Sequence, residues 1–462
     1  VFVFARLRQL RGRSDNARAA GMGFVVAGGN VITLIFTIVF ARLLGTASYG
    51  SLATLTSAFF IASIPGTALQ VTVAREVAAA AAAHRDRELA SNVHGWTRTV
   101  AGATIVLTVL SVLLRAPLAE LFGVSQRWAA ALVLPSGGLW ALVSLQRGAL
   151  QGLQSYYAVG ASVVGEAVGR LVLGLVLLAI GLDVTGAFGG QAASLILWAL
   201  VLWRLLLRRE RAFGVAALSR ATRRTLRSVL GNAGPPVVAM GLLALLQNLD
   251  VIVVKHTASA RAAGAYASAS LSAKALVWLA VGLGMYLLPE VSRRFHRGED
   301  TRGLFFATVG IMSLVAAPAL ALFALIGHEL LEAVFGGSFA SGADELPLLG
   351  GAMTALAFTY LSVQYLIALR HTRFLWLLAA TALAEPFVLA AFGSRLVDVA
   401  GALLALQLAL AVALAALELR RPRAAVTRPD HVPDEPVQPT EPAPPGVTPV
   451  GGPDVLAQPR RS

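Results

Sequence analysis

Apolar positions along this chain do not alternate with polar ones. They gather into long continuous runs separated by short polar or basic stretches. A helix needs about 20 mostly apolar residues to cross a bilayer. Twelve windows meet that length, near 20–44, 48–74, 96–116, 128–146, 156–180, 186–207, 228–254, 264–288, 303–327, 345–369, 373–394 and 397–418. A membrane barrel would show alternation over about ten residues per strand, so helices are the expected element. The first run is longer than the apolar region of a signal peptide, about 7–15 residues, and reads as a retained span. The pattern therefore predicts an all-α polytopic membrane protein of about twelve transmembrane helices.

Composition sharpens that reading. Only 13% of residues are charged, 57% are hydrophobic, and the mean hydropathy is +0.72. Soluble domains carry about 25% charged residues, so an ordinary soluble enzyme and a disordered chain are both poor fits. The net charge of +14, from 38 basic and 24 acidic residues, would point to nucleic acid in a soluble protein. Its distribution points elsewhere. With the N-terminus inside, 30 of the 38 basic residues, Arg147 included, fall in the N-terminus, inner loops and tail, and 6 fall outside. Arg170 and Lys274 fall within spans. This asymmetry follows the positive-inside rule; it places both termini in the cytoplasm and leaves no case for a nucleic-acid partner. The absence of cysteine excludes disulfides, thiolate zinc sites and cysteine-bound clusters.

The chain divides into a basic cytoplasmic N-terminus (1–19), six spans (20–207), a basic cytoplasmic linker (208–227), six further spans (228–418) and a tail (419–462). Eleven of the 20 prolines fall in that tail, which has few large apolar residues and is expected to be disordered. A shift of 214 residues superposes the first two spans on the seventh and eighth without gaps. Gly50, Ala53, Leu69, Glu76 and Val77 meet Gly264, Ala267, Leu283, Glu290 and Val291. An even number of spans per half gives a parallel repeat, a plan in which substrate binds between lobes.

Catalytic signatures are missing. Neither lysine follows a glycine, which excludes a phosphate-binding G-x-x-x-x-G-K-[ST] loop, and no H-E-x-x-H or G-x-S-x-G occurs. The outer loops are short. No enzymatic activity, cofactor or metal site is expected, and the seven histidines are scattered.

Several stretches carry a family resemblance. Phe40-Ala41-Arg42-Leu43-Leu44-Gly45 with Ser48-Tyr49-Gly50, Arg147-Gly148-Ala149-Leu150-Gln151-Gly152, Gly169-Arg170-Leu171 and Asn248-Leu249-Asp250 stand in order along the spans. In order and spacing over residues 15–418, the chain resembles the bacterial oligosaccharide flippases (Wzx-type polysaccharide biosynthesis transporters). These belong to the multidrug/oligosaccharidyl-lipid/polysaccharide exporter superfamily. The lipid II flippase subfamily is a poorer match, with fourteen helices and arginines in its first helix; here nothing basic stands between Arg18 and Arg42.

The resemblance implies two six-helix lobes in a V around a central cavity, in the bacterial cytoplasmic membrane. It implies a substrate of undecaprenyl-diphosphate-linked oligosaccharide, moved to the outer leaflet by alternating access, with membrane lipids around it. Coupling to protons or Na+, and association with a polysaccharide polymerase or glycosyltransferases, belong to the same expectation. An ionisable residue within a span costs about 2.5–3.5 kcal/mol on insertion scales and needs a reason to be there. Arg170, in the fifth span, is the candidate for the diphosphate, with Glu166 one turn earlier on the same face; a self-neutralising pair is the alternative. Lys274, also a candidate for the substrate cavity, and Asp250 are placed to pair across the hairpin of the seventh and eighth spans, either coupling to a proton or forming a static salt bridge. Gln247 and Asn248 are candidates for sugar hydroxyls. Glu166, Asp250 and Glu385, the last beside Pro386, are candidates for coupling. Arg75 and Glu76, with Glu290 and Arg293, recur at equivalent inner helix ends and could form an inner gate of ion pairs between lobes, or serve as interfacial anchors. Two other functions stay open: a multidrug or cation-coupled exporter of the same superfamily, and a membrane scaffold whose tail recruits synthesis enzymes.

Overall fold

A computed structural model describes residues 2–83, 85–212, 234–393 and 395–419. Side chains are described for these apart from 2–27, 86–88, 209–212 and 419. The arginine side chains of the N-terminus, the linker from 213 onward and the tail beyond 419 lie outside the described residues. The described chain is helical, in order α1 (Phe2–Ala82), α2 (Asp86–Leu113), α3 (Arg115–Leu121), α4 (Arg127–Ala131), α5 (Val133–Gly152), α6 (Tyr156–Leu177) and α7 (Asp183–Ala212). There follow α8 (Gly234–Thr257), α9 (Ala260–His296), α10 (Arg302–Phe335), α11 (Leu346–Ala368), α12 (Phe374–Ala391) and α13 (Leu396–Leu419).

Ten stretches among the described residues are long and apolar enough to cross a membrane, against the twelve expected. The difference lies in two that double back. In α1, Gly45 takes φ 70° and ψ 172°, a conformation open to glycine and costly for a side chain. Before it, α1 advances alongside α6, Gly29 meeting Val163 and Phe40 meeting Gly174. After it, α1 advances alongside α5, Gly66 meeting Ala141 and Gln70 meeting Gly148. Helices α5 and α6 are antiparallel, since Arg147 near the end of one reaches Ser162 near the start of the other. The two arms of α1 therefore run in opposite directions. The second case is Gly181, at φ 91°, between α6 and α7. There Gly165 meets Trp198, Gly169 meets Ser194 and Gly174 meets Gly190, the pairing of an antiparallel hairpin. Ten stretches with two reversals make twelve passes.

Buried apolar side chains form two clusters. One draws on residues between Phe36 and Leu206. The other draws on residues between Ala239 and Leu414, and also takes in Ala41 and Tyr49 from α1. Helix α1 thus contributes to both cores and joins them. Large apolar side chains such as Leu113, Leu314, Leu325, Trp376 and Phe387 stand on the outside. A soluble surface would not tolerate so many; lipid does. With no hydrophobic drive between helices in lipid, close packing rests on small residues. At Gly148 an added methyl would stand 2.5 Å from the carbonyl oxygen of Gln70, and at Gly190 it would stand 2.4 Å from the nitrogen of Gly174.

Candidate functional site

Two polar clusters are buried inside this apolar body, one in each core. In the first, Arg170 is 7% exposed and lies among α1, α6 and α7. Its Nη2 donates to Thr33 Oγ1 at 2.7 Å and its Nη1 donates to Gln191 Oε1 at 3.1 Å. Its guanidinium lies 4.7 Å from the centre of the Phe36 ring, a cation–π arrangement that a desolvated arginine favours. Gln191 then donates to Glu166 Oε1 at 2.9 Å. The expected Glu166–Arg170 couple is therefore relayed through an amide from α7. Ser194 donates to the Glu166 backbone carbonyl at 2.8 Å, tying α7 to α6. The Arg170 Nε has no hydrogen-bond partner.

A second guanidinium stands nearby. The charge count places Arg147 in an inner loop, and the structure corrects this. Arg147 lies inside α5, 2% exposed, and donates from Nε to Ser162 Oγ at 2.9 Å and from Nη2 to the Ser162 carbonyl at 2.8 Å. It also faces the Trp140 ring at 5.4 Å. The described interior of this core thus holds Arg147 and Arg170 against Glu166.

In the second core the balance reverses. Asp250 is fully buried, accepts from Ser270 Oγ at 2.6 Å and faces Lys274 Nζ at 3.5 Å. The hairpin of α8 and α9 does bring these two together. Glu385, also fully buried, accepts from Gln407 Nε2 at 3.2 Å through one oxygen, while its Oε1 has no hydrogen-bond partner. Gln407 donates as well to the Leu246 carbonyl at 3.3 Å. The Tyr266 hydroxyl is buried here beside Asp250. One ammonium therefore stands with the carboxyls of Asp250 and Glu385, and the buried Glu345 adds a third near Tyr266. Asn248 is turned to its own helix, donating to the Ala244 carbonyl at 2.9 Å, and Gln247 is half-buried.

The two clusters occupy equivalent places in the repeat. Arg170 and Gln191 stand on α6 and α7, with Thr33 of α1; Glu385 and Gln407 stand on α12 and α13, with Leu246 of α8. In each, a glutamine holds the ionisable side chain of the preceding helix. Sequence reading singled out the charged members and missed Arg147, Thr33, Gln191, Ser270 and Gln407. For Gln191 and Gln407 the available signal was a lone amide in an apolar run, 21 and 22 positions after a buried charge.

Of the four gate candidates, Glu290 and Arg293 pair with each other on one helix. Glu290 takes both of its oxygens to its own helix, accepting from Arg293 at 2.6 and 2.9 Å and from Arg294 at 2.9 Å. Glu290 is thus paired within its own helix in this structure. Glu76 borders a small recess with Val77, Ala80, Arg85 and Trp96, and Arg75 is exposed. Among the described residues no cluster of three or more His, Asp or Glu could hold a metal ion.

Known proteins resemble this chain in family and in fold. The model for the polysaccharide biosynthesis protein family matches residues 22–295, more than half of the chain. No curated protein matches the sequence. Among solved structures, a multidrug resistance MATE family transporter of the MOP superfamily, in an inward-facing conformation, is similar at TM-score 0.70 and 13% identity. That match covers 85% of this chain and 96% of the other. The lipid II flippase MurJ, in an inward closed conformation, is similar at TM-score 0.66 and 13% identity, over 87% of this chain and 88% of the other. A MOP superfamily transporter from Pyrococcus furiosus follows at TM-score 0.63 and 11% identity, over 88% and 96%. At such identities the likeness is one of fold. With ten apolar stretches among the described residues long enough to cross a membrane, the family match makes this chain a multi-pass membrane protein of the polysaccharide biosynthesis protein family.

Proposed function

We propose that the protein is a flippase that moves an undecaprenyl-diphosphate-linked oligosaccharide across a bacterial cytoplasmic membrane by alternating access. The observation that carries this reading is the family match over residues 22–295 on a twelve-pass, two-core body. The charge of the N-terminal core supports the substrate class. Two guanidiniums against one carboxylate leave it positive, and a diphosphate favours such a field in a low-dielectric surrounding. Arg170 meets the diphosphate in this reading by exchanging Thr33 and Gln191 for phosphate oxygens as the lobes move. Gln247 and Asn248 serve sugar hydroxyls. The second core supplies coupling: Lys274 is committed to Asp250, and Glu385, with one oxygen unpartnered, exchanges a proton or Na+. Arg75, Glu76, Glu290 and Arg293 re-pair between the lobes when the cytoplasmic side closes.

The test is translocation of a lipid-linked oligosaccharide in proteoliposomes. Arg170→Ala is expected to abolish it while leaving the protein inserted, and Arg170→Lys to restore part of it. A parental rate in Arg170→Ala overturns the assignment. A second reading draws on the acids of the C-terminal core and the MATE-like fold: export of small cations. Uptake of a cationic dye by inverted vesicles, with no glycolipid movement, would decide for it.

A further inference from the structure

The repeat and the contacts between the two halves converge at the end of the molecule where α1 reverses. Arg42 stands at the end of the first arm of α1. Its guanidinium donates from Nε to the Val334 carbonyl at 3.1 Å and from Nη2 to the Ala333 carbonyl. These are among the last carbonyls of α10, which ends at Phe335 and belongs to the other half. Helix C-termini leave such carbonyls without intrahelical partners and carry partial negative charge, so a guanidinium is well suited to them. His256 stands 214 positions after Arg42, near the end of α8. Its Nε2 lies 2.8 Å from the carbonyl of Leu121, the last residue of α3 in the first half. A carbonyl only accepts, so that nitrogen carries the proton. Leu121 and Val334 are themselves repeat mates, since Leu118–Ser125 (LAELFGVS) lines up with Leu331–Ser338 (LEAVFGGS). Each half thus reaches from its first span to the helix end that follows the third span of the other half.

The axis relating the two contacts is visible between them. Gly50 and Gly264, also 214 apart, touch through their backbones. A methyl at Gly50 would lie 3.4 Å from the Ala260 carbonyl oxygen; one at Gly264 would lie 1.8 Å from the carbonyl oxygen of Thr46, the repeat mate of Ala260. Tyr49 beside them packs on Phe335 and Phe339, with ring centres 6.3 and 5.4 Å apart.

We propose that Arg42 and His256 form a reciprocal latch. It holds the two halves closed at this end around the Gly50–Gly264 contact, and both contacts part when the protein opens toward that side. The proposal rests on the transporter reading but not on the glycolipid, because conformation is read without substrate.

The protein has no cysteine, so Ala47→Cys with Arg261→Cys places two spin labels on exposed, repeat-equivalent positions at this end. Pulsed electron double resonance on the full chain in proteoliposomes then reads the separation of the halves. Arg42→Ala and His256→Ala are each expected to raise the ratio of long to short distances about threefold to tenfold, and more when combined. His256→Gln, which keeps an N–H donor, is expected to stay near the parent. Gly264→Ala, which wedges the axis, is expected to widen the distribution by itself. If Gly264→Ala widens it while both latch variants superpose on the parent, the latch is overturned. Superposition of all three on the parent overturns it equally. Each single variant is read separately, so a poorly expressed double variant leaves the result decided.

Discussion

At the scale of single residues, the buried charges show how a membrane interior tolerates ions: Arg147, Glu166, Arg170, Asp250, Lys274 and Glu385 each have a polar partner. Lys274 and Asp250 are the sharpest case. They face each other at 3.5 Å with the aspartate fully buried, and Ser270 takes its other oxygen. Removing one member of such a pair strands the other in a medium that cannot solvate it, which costs about 3–5 kcal/mol, whereas removing both can be nearly neutral. Lys274→Met is accordingly expected to lower the melting temperature in detergent sharply. The double variant Lys274→Met with Asp250→Asn is expected to recover most of the loss. Equal destabilisation by both would mean that the lysine acts through packing alone. The pair was legible in sequence because a short hairpin between long helices leaves few ways to place Asp250 and Lys274. The relay through Gln191 was not, since nothing in the chain marks which face of α7 meets α6.

At the scale of elements, reversals and close crossings are set by glycine. Helices α6 and α7 cross where Gly165 faces the Trp198 ring, and an added methyl there would lie 1.9 Å from a ring carbon. Overpacking a tight crossing costs about 1–3 kcal/mol. Gly165→Ala is expected to destabilise the protein by that amount, and Trp198→Leu in the same chain to relieve it. A Gly165→Ala protein that melts with the parent would show that the ring swings aside freely. The twelve apolar windows anticipated every pass, because run length and hydropathy are local properties. They did not anticipate that α1 and the α6–α7 hairpin would be nearly continuous helix through their reversals. Gly45 at positive φ turns α1, and Gly181 together with Asp183, both at positive φ, turns the α6–α7 hairpin.

At the scale of the whole molecule, two cores share one architecture and differ in sign. Arg147 and Arg170 stand with Glu166 in one, and Lys274 with Asp250 and Glu385 in the other. In the proposed function, this difference would let one half attract an anion and the other handle a cation. The charge bias along the chain predicts that the end bearing Gly45 faces the outside. A single cysteine at the exposed Ser259 is therefore expected to react with a membrane-impermeant thiol reagent in intact cells. One at Gly298, beyond the other end of α9, is expected to react only after permeabilisation. The opposite pattern would invert the orientation and with it the direction of transport.

The sequence by itself determined the membrane setting, the number of passes, the repeat and the family, because these follow from composition, run length and motif order. It also marked Arg170, Lys274, Asp250 and Glu385, because a charge within an apolar run is conspicuous in one dimension. Only the tertiary structure decided their partners. Thr33 and Arg170 are 137 positions apart, and Arg42 and Val334 are 292 apart. Which faces of the helices meet is a matter of side-chain packing between distant segments. Arg147 shows the same limit from the other side. At the end of an apolar run it reads as a loop cation, and only the helix packed against it, offering Ser162, turns it inward.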